Sequence, residues 1–407
     1  MFYSTRNRAY HVSASEALLE GISPDGGLFL PEKIIPVDYH SLLSFSYSEM
    51  AFALLRPYLD DFSDEEIREA VAQAYSPASF PEKVFDLQLA GNEAFLELFH
   101  AITDDPSIDV VIECLGGDTL PHLIISASLK AGKAVISSNK ETIATHYAEY
   151  AALAEHYHAS LQFEASVGGG IPLLYPLAVL SRFDSVSSLQ GILNGTTNFI
   201  LSKMEEGALF ADALKEAQAR GFAEKDPSAD LQGLDLVRKA AILAMLLYHQ
   251  EVALSDIPHF GIEALPESLG DIEEKEGRKL KLIVDIHPYQ KGLSILIAPT
   301  LLKPDDLLSS IKEETNAVKV EAKANGPLLF AGKGAGEFPT ASAMISDLER
   351  VIAKASLPLV VPKKKVPIIP DLRGRYYVSK DQKSLQILVD PSLEELKTYR
   401  FIAKVAE

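Results

Sequence analysis

The 407-residue sequence predicts an α/β chain: a partial doubly wound parallel sheet, a second α/β domain and a small N-terminal α+β module. Three observations carry this reading. From about residue 107, short apolar runs alternate with helical patterns across glycine turns, the mark of a parallel sheet. Hydrophobic residues make up 47% and charged residues 23%, a globular balance with no low-complexity tract. Residues 1–100 have a different texture, with 6 Lys+Arg against 16 Asp+Glu, about half of the whole net charge of −19.

In chain order, Ser13-Ala14-Ser15-Glu16 has capping-box spacing and opens a helix through Ala17, Leu18 and Leu19. Pro24-Asp25-Gly26-Gly27 is a turn, and the extended piece Leu28-Phe29-Leu30 ends at Pro31. Ser63-Asp64-Glu65-Glu66 starts another helix in the same way. Residues 109–115 read as an apolar strand entering the turn Gly116-Gly117-Asp118, after which a helix extends to Lys130 and Gly132 ends it. Residues 134–137 are a second buried strand, and Lys140 stands at the turn into the next helix. Ligands of such sheets bind at the carboxyl ends of the strands, where Gly116, Gly117, Asn139 and Lys140 fall. Further strands enter Gly168-Gly169-Gly170 and the segment 191–198, with helices over 199–220 and 229–249 and strands over 281–286 and 293–297. A glycine-rich turn at 332–336 leads to a helix over 341–353. Residues 355–407 open with Pro358, Pro362, Pro367 and Pro370, and read as a stiff linker with a tail too small to hold its own core.

Composition excludes several classes. The longest apolar run, 240–248, falls far short of the roughly 20 residues that span a bilayer. No basic stretch leads an apolar segment at the N-terminus, so no secretory signal is expected. A single cysteine, Cys114, rules out an internal disulfide and fits a reducing cytoplasm. The acidic surface disfavours nucleic acid and anionic membranes, both of which bind basic patches. These exclusions leave a soluble, cytoplasmic, multi-domain enzyme or binding protein.

The densest chemistry lies between Gly221 and Lys239, with Glu224, Asp226, Asp230 and Asp235 beside Lys225 and Lys239. Asp235 and Lys239 are spaced i,i+4 on one helical face. That spacing alone also makes a surface ion pair, which is common and weak. Two details favour chemistry: Gly233 reads as lying inside the helix, at a cost of about 1 kcal/mol, and the apolar run begins at Ala240. A lysine at the edge of an apolar wall suits a general acid or base. Asn194-Gly195-Thr196-Thr197 at a helix start offers N–H donors to an anionic or polar ligand, or is a plain capped turn. The glycines at 168–170 allow backbone carbonyls to approach a ligand or hard cation, or simply close packing. His156 and His158 read as surface residues, since their spacing makes them diverge on a helix.

Six blocks in order, Ile108 to Glu113 with Gly116-Gly117, Ser138-Asn139-Lys140, 164–172, 191–198, 221–239 and 332–342, resemble homoserine dehydrogenase over 105–353. The resemblance implies NAD(P)-dependent interconversion of L-homoserine and L-aspartate 4-semialdehyde, in threonine and methionine biosynthesis, by a cytoplasmic homodimer. It implies proton transfer by Lys239 with Lys140 close by, the substrate ammonium on Glu224, orientation by Asp235 and support from Asp230. It places NADP or NAD against Gly116, Gly117, Lys140, Gly195 and Gly336, and a sodium ion near Glu164, Val167, Gly169 and Ile171. Residues 1–100, through Tyr3 to Arg6, the segment 16–19, 23–28 and Glu97-Leu98-Phe99-His100, resemble the N-terminal segment of threonine synthase instead. There the family's pyridoxal-phosphate lysine has no counterpart, so that activity is not expected.

The resulting division is 1–100 as the threonine synthase-like module and 101–145 as a partial NAD(P)-binding domain completed by 332–354. Residues 146–331 form the catalytic domain and 355–407 the linker and tail. Residues 1–100 contain no GxGxxG loop to cradle a pyrophosphate. Weak cofactor binding is therefore expected, and a catalytically silent fused remnant stands as the alternative.

Overall fold

The computed structural model describes residues 1–33, 35, 47–74, 102–266, 269–363, 365–381 and 383–406. The 97–100 block of the threonine synthase resemblance lies outside them. The chain divides into two compact units, 1–102 and 103–407.

In the first unit, β1 (Phe2–Ser4) pairs antiparallel with β2 (His11–Val12) and β3 (Phe29–Pro31). The Ala14–Glu20 helix begins with the capping box its sequence predicts: Ser13 accepts from the Glu16 amide, and Glu16 accepts from that of Ser13. Among its described residues two further helices follow, Tyr47–Leu55 and Asp64–Ala74, the second capped reciprocally by Ser63 and Glu66.

The second unit opens with a parallel sheet of β4 (Val110–Glu113), β5 (Ala134–Ser137) and β6 (Leu161–Gln162), in that order. The crossovers are the Thr119–Lys130 and Lys140–His156 helices. Val135, Ile136, Ile143, Tyr150 and Phe163 are buried, which explains why both sheet faces read as apolar.

An eight-stranded sheet forms the rest, ordered β11-β10-β7-β8-β9-β14-β12-β13. Its strands are β7 (Val186–Ile192), β8 (Lys279–Tyr289), β9 (Gly292–Leu302), β10 (Thr315–Ala322), β11 (Gly326–Lys333), β12 (Arg375–Ser379), β13 (Gln386–Val389) and β14 (Phe401–Val405). β8 and β9 form a long hairpin, and β14 joins β9 in parallel, with Lys404 opposite Thr300 and Val405 opposite Leu301. The Leu234–Tyr248 helix is buried from Leu236 to Leu247 apart from Arg238, because it packs on the sheet and on the Lys140–His156 helix together.

Two expectations need correction. Residues 355–407 are not a linker and loose tail: Tyr376, Val378, Phe401 and Ile402 are buried, and three strands extend the large sheet. The tail carries a small core cluster of its own, Tyr376, Val378, Leu396 and Ile402, and joins the large sheet where β14 pairs with β9, while the Leu293 amide donates to the Pro367 carbonyl. Gly233 is not inside a helix. It sits left-handed at φ +84° between the Ser228–Leu231 turn and the Leu234–Tyr248 helix, where glycine is the least strained residue. His156 and His158 are exposed.

Candidate active site

The Leu234–Tyr248 helix starts at a cavity of about 750 Å³ and carries Asp235 and Lys239 one turn apart on its wall. Lys239 Nζ lies 2.7 Å from Asp235 Oδ2 and donates to the Leu193 carbonyl at 2.6 Å. Lys140 comes from the first turn of its own helix and places Nζ 2.6 Å from Asp235 Oδ1. One carboxylate thus holds two lysines. Their surroundings differ: the side chains of Asp235 and Lys239 are 7% and 9% exposed, that of Lys140 42%. Burial pushes the Asp235 carboxyl up, but the ammonium groups of Lys239 and Lys140 outweigh it and hold it well below the usual carboxylate range.

Asn194 organises the floor. Its side-chain oxygen caps the Gly195–Glu205 helix at the Thr197 amide, and its Nδ2 donates to Asp230 at 2.7 Å and to Asp235 at 3.1 Å. Thr196 Oγ1 donates to the Phe222 carbonyl at 2.5 Å and contacts Asp230 at 3.3 Å. Burial raises the Asp230 carboxyl, against the Asn194 hydrogen bond and with the Asp235 charge adding to it. Glu224 is exposed on the rim. Opposite lie Asn316, the loop from Lys333 to Gly336 and the first residues of the Glu337–Ile352 helix.

This cavity brings together Lys140, Gly195, Glu224, Asp230, Asp235, Lys239 and Gly336. Gly195 needs its small size for packing, since an added Cβ would lie 2.9 Å from the Glu314 carbonyl oxygen. Gly116 and Gly117 do not line it. They are exposed after β4, with open space where a Cβ would stand, and Gly117 at φ +79°. Asn139 links them to Lys140: it donates to the Leu115 and Gly117 carbonyls and accepts from the Glu141 and Thr142 amides. Glu113 braces the same strand ends by accepting from Ser137 Oγ at 2.5 Å and the Leu115 amide at 2.6 Å.

Glu164, Val167, Gly169 and Ile171 lie in a buried bend outside the cavity lining. The Glu164 carboxylate accepts from the Leu173, Leu174 and Tyr175 amides and faces Arg350 at 3.5 Å. A Cβ on Gly169 would stand 2.5 Å from the Gly334 backbone, so this bend packs directly on the cavity loop. A second cleft of about 390 Å³, bordered by Asp285, His287, Asp306 and Lys319, gathers none of the predicted residues.

Sequence reasoning missed Asn194 as an organiser, Leu193 as the partner of Lys239, and Asn316. Only Asn194 left a signal, as a helix cap after a strand; the others meet the site through register.

A family model described as homoserine dehydrogenase matches residues 172–348, and one described as its NAD binding domain matches 67–164. A model of the threonine synthase N terminus matches 1–75. The homoserine dehydrogenase of Corynebacterium glutamicum is 40% identical over 283 residues, covering 68% of this chain and 62% of the relative. That of Bacillus subtilis is 38% identical, covering 68% and 64%. The chain thus spans less than two thirds of the length of these two relatives. The Neisseria gonorrhoeae enzyme is 35% identical over 73% of this chain and 68% of its own. Among solved structures, a homoserine dehydrogenase from Thiobacillus denitrificans aligns with TM-score 0.63 at 33% identity, covering 69% of this chain and 68% of that one. The S. aureus homoserine dehydrogenase at pH 8.5 aligns with TM-score 0.61 at 30% identity, covering 76% and 84%. Nothing in these likenesses supports a catalytically silent remnant. Among the described residues, no helix is long and apolar enough to cross a membrane.

Proposed function

The chain belongs to the homoserine dehydrogenase family, and from that premise we propose that it interconverts L-homoserine and L-aspartate 4-semialdehyde with NADP or NAD. The observation that carries this is the Lys140–Asp235–Lys239 cluster on the wall of a cavity sized for a small ligand. The substrate's terminal oxygen must gain or lose a proton as the carbon beside it changes oxidation state. Lys239 is the group we assign to that proton. Its amine is fixed by the Leu193 carbonyl and by Asp235, so it presents in one orientation. Asp235 orients Lys239, and Lys140, more exposed on the same cavity wall, would serve both the reacting oxygen and the cofactor. Glu224 on the rim receives the substrate ammonium, with Asp230 supporting the floor through Asn194 and Thr196.

A nicotinamide cofactor, when bound, supplies or accepts the hydride. The residues present fit its reactive end: Lys140, Gly195 and Gly336 line the cavity, and Gly116 and Gly117 leave open space beyond β4. In this reading the nucleotide half is the parallel sheet β4 to β6 with its helices, which carries it past residue 145 to about 164, completed by 332–354. Its support is the Glu337–Ile352 helix, which contacts β5 and through Asp347 accepts from the Glu164 amide. The substrate half therefore starts after β6 rather than at 146, and runs to 331. A sodium ion near Glu164, Val167, Gly169 and Ile171 would rest on main-chain oxygens, because the Glu164 carboxylate is already committed. Equal activity and melting temperature in sodium-free buffer refute it. The partner is a second copy of the chain; the exposed Ile387 and Val389 on edge strand β13 support a self-association that sedimentation tests.

The deciding experiment follows NADPH consumption with aspartate 4-semialdehyde, after NADPH titration by calorimetry. Turnover that falls ~10²–10⁴-fold in Lys239→Ala supports the reading; full turnover in that variant, or none in the parent at saturating NADPH, overturns it. Micromolar NADPH affinity would refute only the expectation of weak binding.

A further inference from the structure

Away from the cavity, the Thr119–Lys130 and Lys140–His156 helices bring His122, His146 and Glu149 together, their ligand atoms all within 4.8 Å of one another. The two imidazoles stack with ring centroids 3.8 Å apart and planes 21° from parallel, so one ring tilts for both in-plane lone pairs to reach a common ion. Each ring has one nitrogen anchored. His146 Nε2 lies 3.1 Å from an Asp118 carboxylate oxygen, and His122 Nδ1 lies 3.1 Å from the Tyr150 hydroxyl. Asp118 accepts only when His146 Nε2 carries the proton, which leaves Nδ1 a lone pair. Tyr150 Oη lies 2.6 Å from Thr142 Oγ1, and in the tautomer in which His122 Nδ1–H donates to Tyr150, with Tyr150 donating on to Thr142, His122 Nε2 is likewise free.

Both remaining nitrogens face one carboxylate. His122 Nε2 is 3.9 Å from Glu149 Oε1, and His146 Nδ1 is 3.9 Å from Glu149 Oε2. That is too long for a hydrogen bond, yet close to the roughly 3.4 Å that separates two ligands of one tetrahedral ion at about 2.1 Å each. His146 also interrupts its helix, at φ −115° and ψ 16°, so the backbone departs from regularity at the residue that turns inward. The side chains are 27%, 22% and 47% exposed, which leaves a side open for solvent ligands.

We propose that His122 Nε2, His146 Nδ1 and Glu149 bind one divalent ion of the zinc class, with water completing the shell. Two imidazoles and a carboxylate select borderline transition metals over calcium or magnesium. Asp118 and Tyr150 are the outer groups that fix ring orientation, the arrangement such sites use to raise affinity. Beyond the proposed dehydrogenase reading, this site is independent of it, since none of its residues lines the cavity.

Calorimetric titration of the chelator-dialysed full chain with zinc chloride tests it. One equivalent should bind, and cobalt(II) should give the visible absorption of a low-coordinate site. Glu149→Gln and the double variant His122→Asn/His146→Gln should each lose that equivalent, with at least tenfold weaker affinity. Asp118→Asn should weaken it about 10–100-fold while leaving all three ligands in place. Absence of a stoichiometric event, or zinc binding unchanged in the double variant, overturns the proposal. If the double variant loses its helical circular dichroism, Glu149→Gln, at a half-exposed position, decides alone.

Discussion

Asp235 holds two lysines, and the different burial of those lysines predicts an ordered set of stability losses. Asp235→Asn keeps the shape and, with its oxygen at the Oδ2 position, a neutral acceptor for Asn194 and Lys239, but Lys239, 9% exposed, loses its nearest counter-charge. An uncompensated buried charge costs about 3–5 kcal/mol. Lys239→Met is milder, because Asp235 keeps Lys140 and Asn194; a lost charged hydrogen bond of about 1.5–3 kcal/mol is the fair scale. Lys140→Met removes an ammonium that is 42% exposed and should cost no more than about 1 kcal/mol. In Asp235→Asn/Lys239→Met the orphaned charge disappears, so the double variant should cost less than the two singles together, by roughly 1–3 kcal/mol. Urea unfolding followed by circular dichroism reads these values, provided the slope with denaturant stays constant across variants. Additive singles, or a Lys140 variant as damaging as Asp235→Asn, would refute the view that desolvation ranks the two pairs. Acid should act in the same direction. The Asp235 carboxyl titrates lower in the folded chain than in the unfolded one, so its contribution is complete above the ordinary carboxylate range and is lost as pH falls through its depressed value.

Other consequences follow from neighbouring residues. Glu224→Ala should mainly raise the Michaelis constant for homoserine with kcat little changed, since the side chain is exposed on the rim; an equal fall in kcat and kcat/KM would contradict the assignment. Gly169→Ala should lower the melting temperature and weaken ligand binding together, because φ +58° is left-handed and the new Cβ meets the Gly334 backbone at 2.5 Å; a wild-type melting curve would contradict that contact. Burial, with the Glu164 charge adding, pushes the Asp347 carboxyl up to about 6 despite the Glu164 amide and Arg350. The folded chain therefore binds this proton more tightly than the unfolded chain, and stability should decline as pH rises from about 4 to about 6. Asp347→Asn should flatten that stretch of the stability–pH curve, and an unchanged slope would assign it to another group.

Local signals were the legible ones. Ser13 and Ser63 announce their helices, and the parallel sheet from β4 to β6 lies close to where apolar runs and glycine turns place it. Asp235 and Lys239 are readable because one helical turn joins them. Leu193, Asn316 and the 333–339 segment are not, because strand register and loop packing bring them to the cavity from distant parts of the chain. Lys239 shows the limit most clearly: the sequence displays the apolar run behind it, but not the Leu193 carbonyl in front. Gly233 looked like a flaw in one helix because two short helical patterns abut there, and only its positive φ separates them. The prolines after 355 look like a linker in sequence, yet an extended path is compatible with lying along β9, where Leu293 bridges Ile368.

The parallel seam between β9 and β14 also bears on biogenesis. Leu301 waits for Val405, so during synthesis one border of the β8–β9 hairpin emerges long before its neighbour exists. An apolar border of that kind invites pairing with other nascent chains, and contacts so distant in sequence form slowly. Nascent chains of this protein should therefore be chaperone clients until β14 is free to pair with β9.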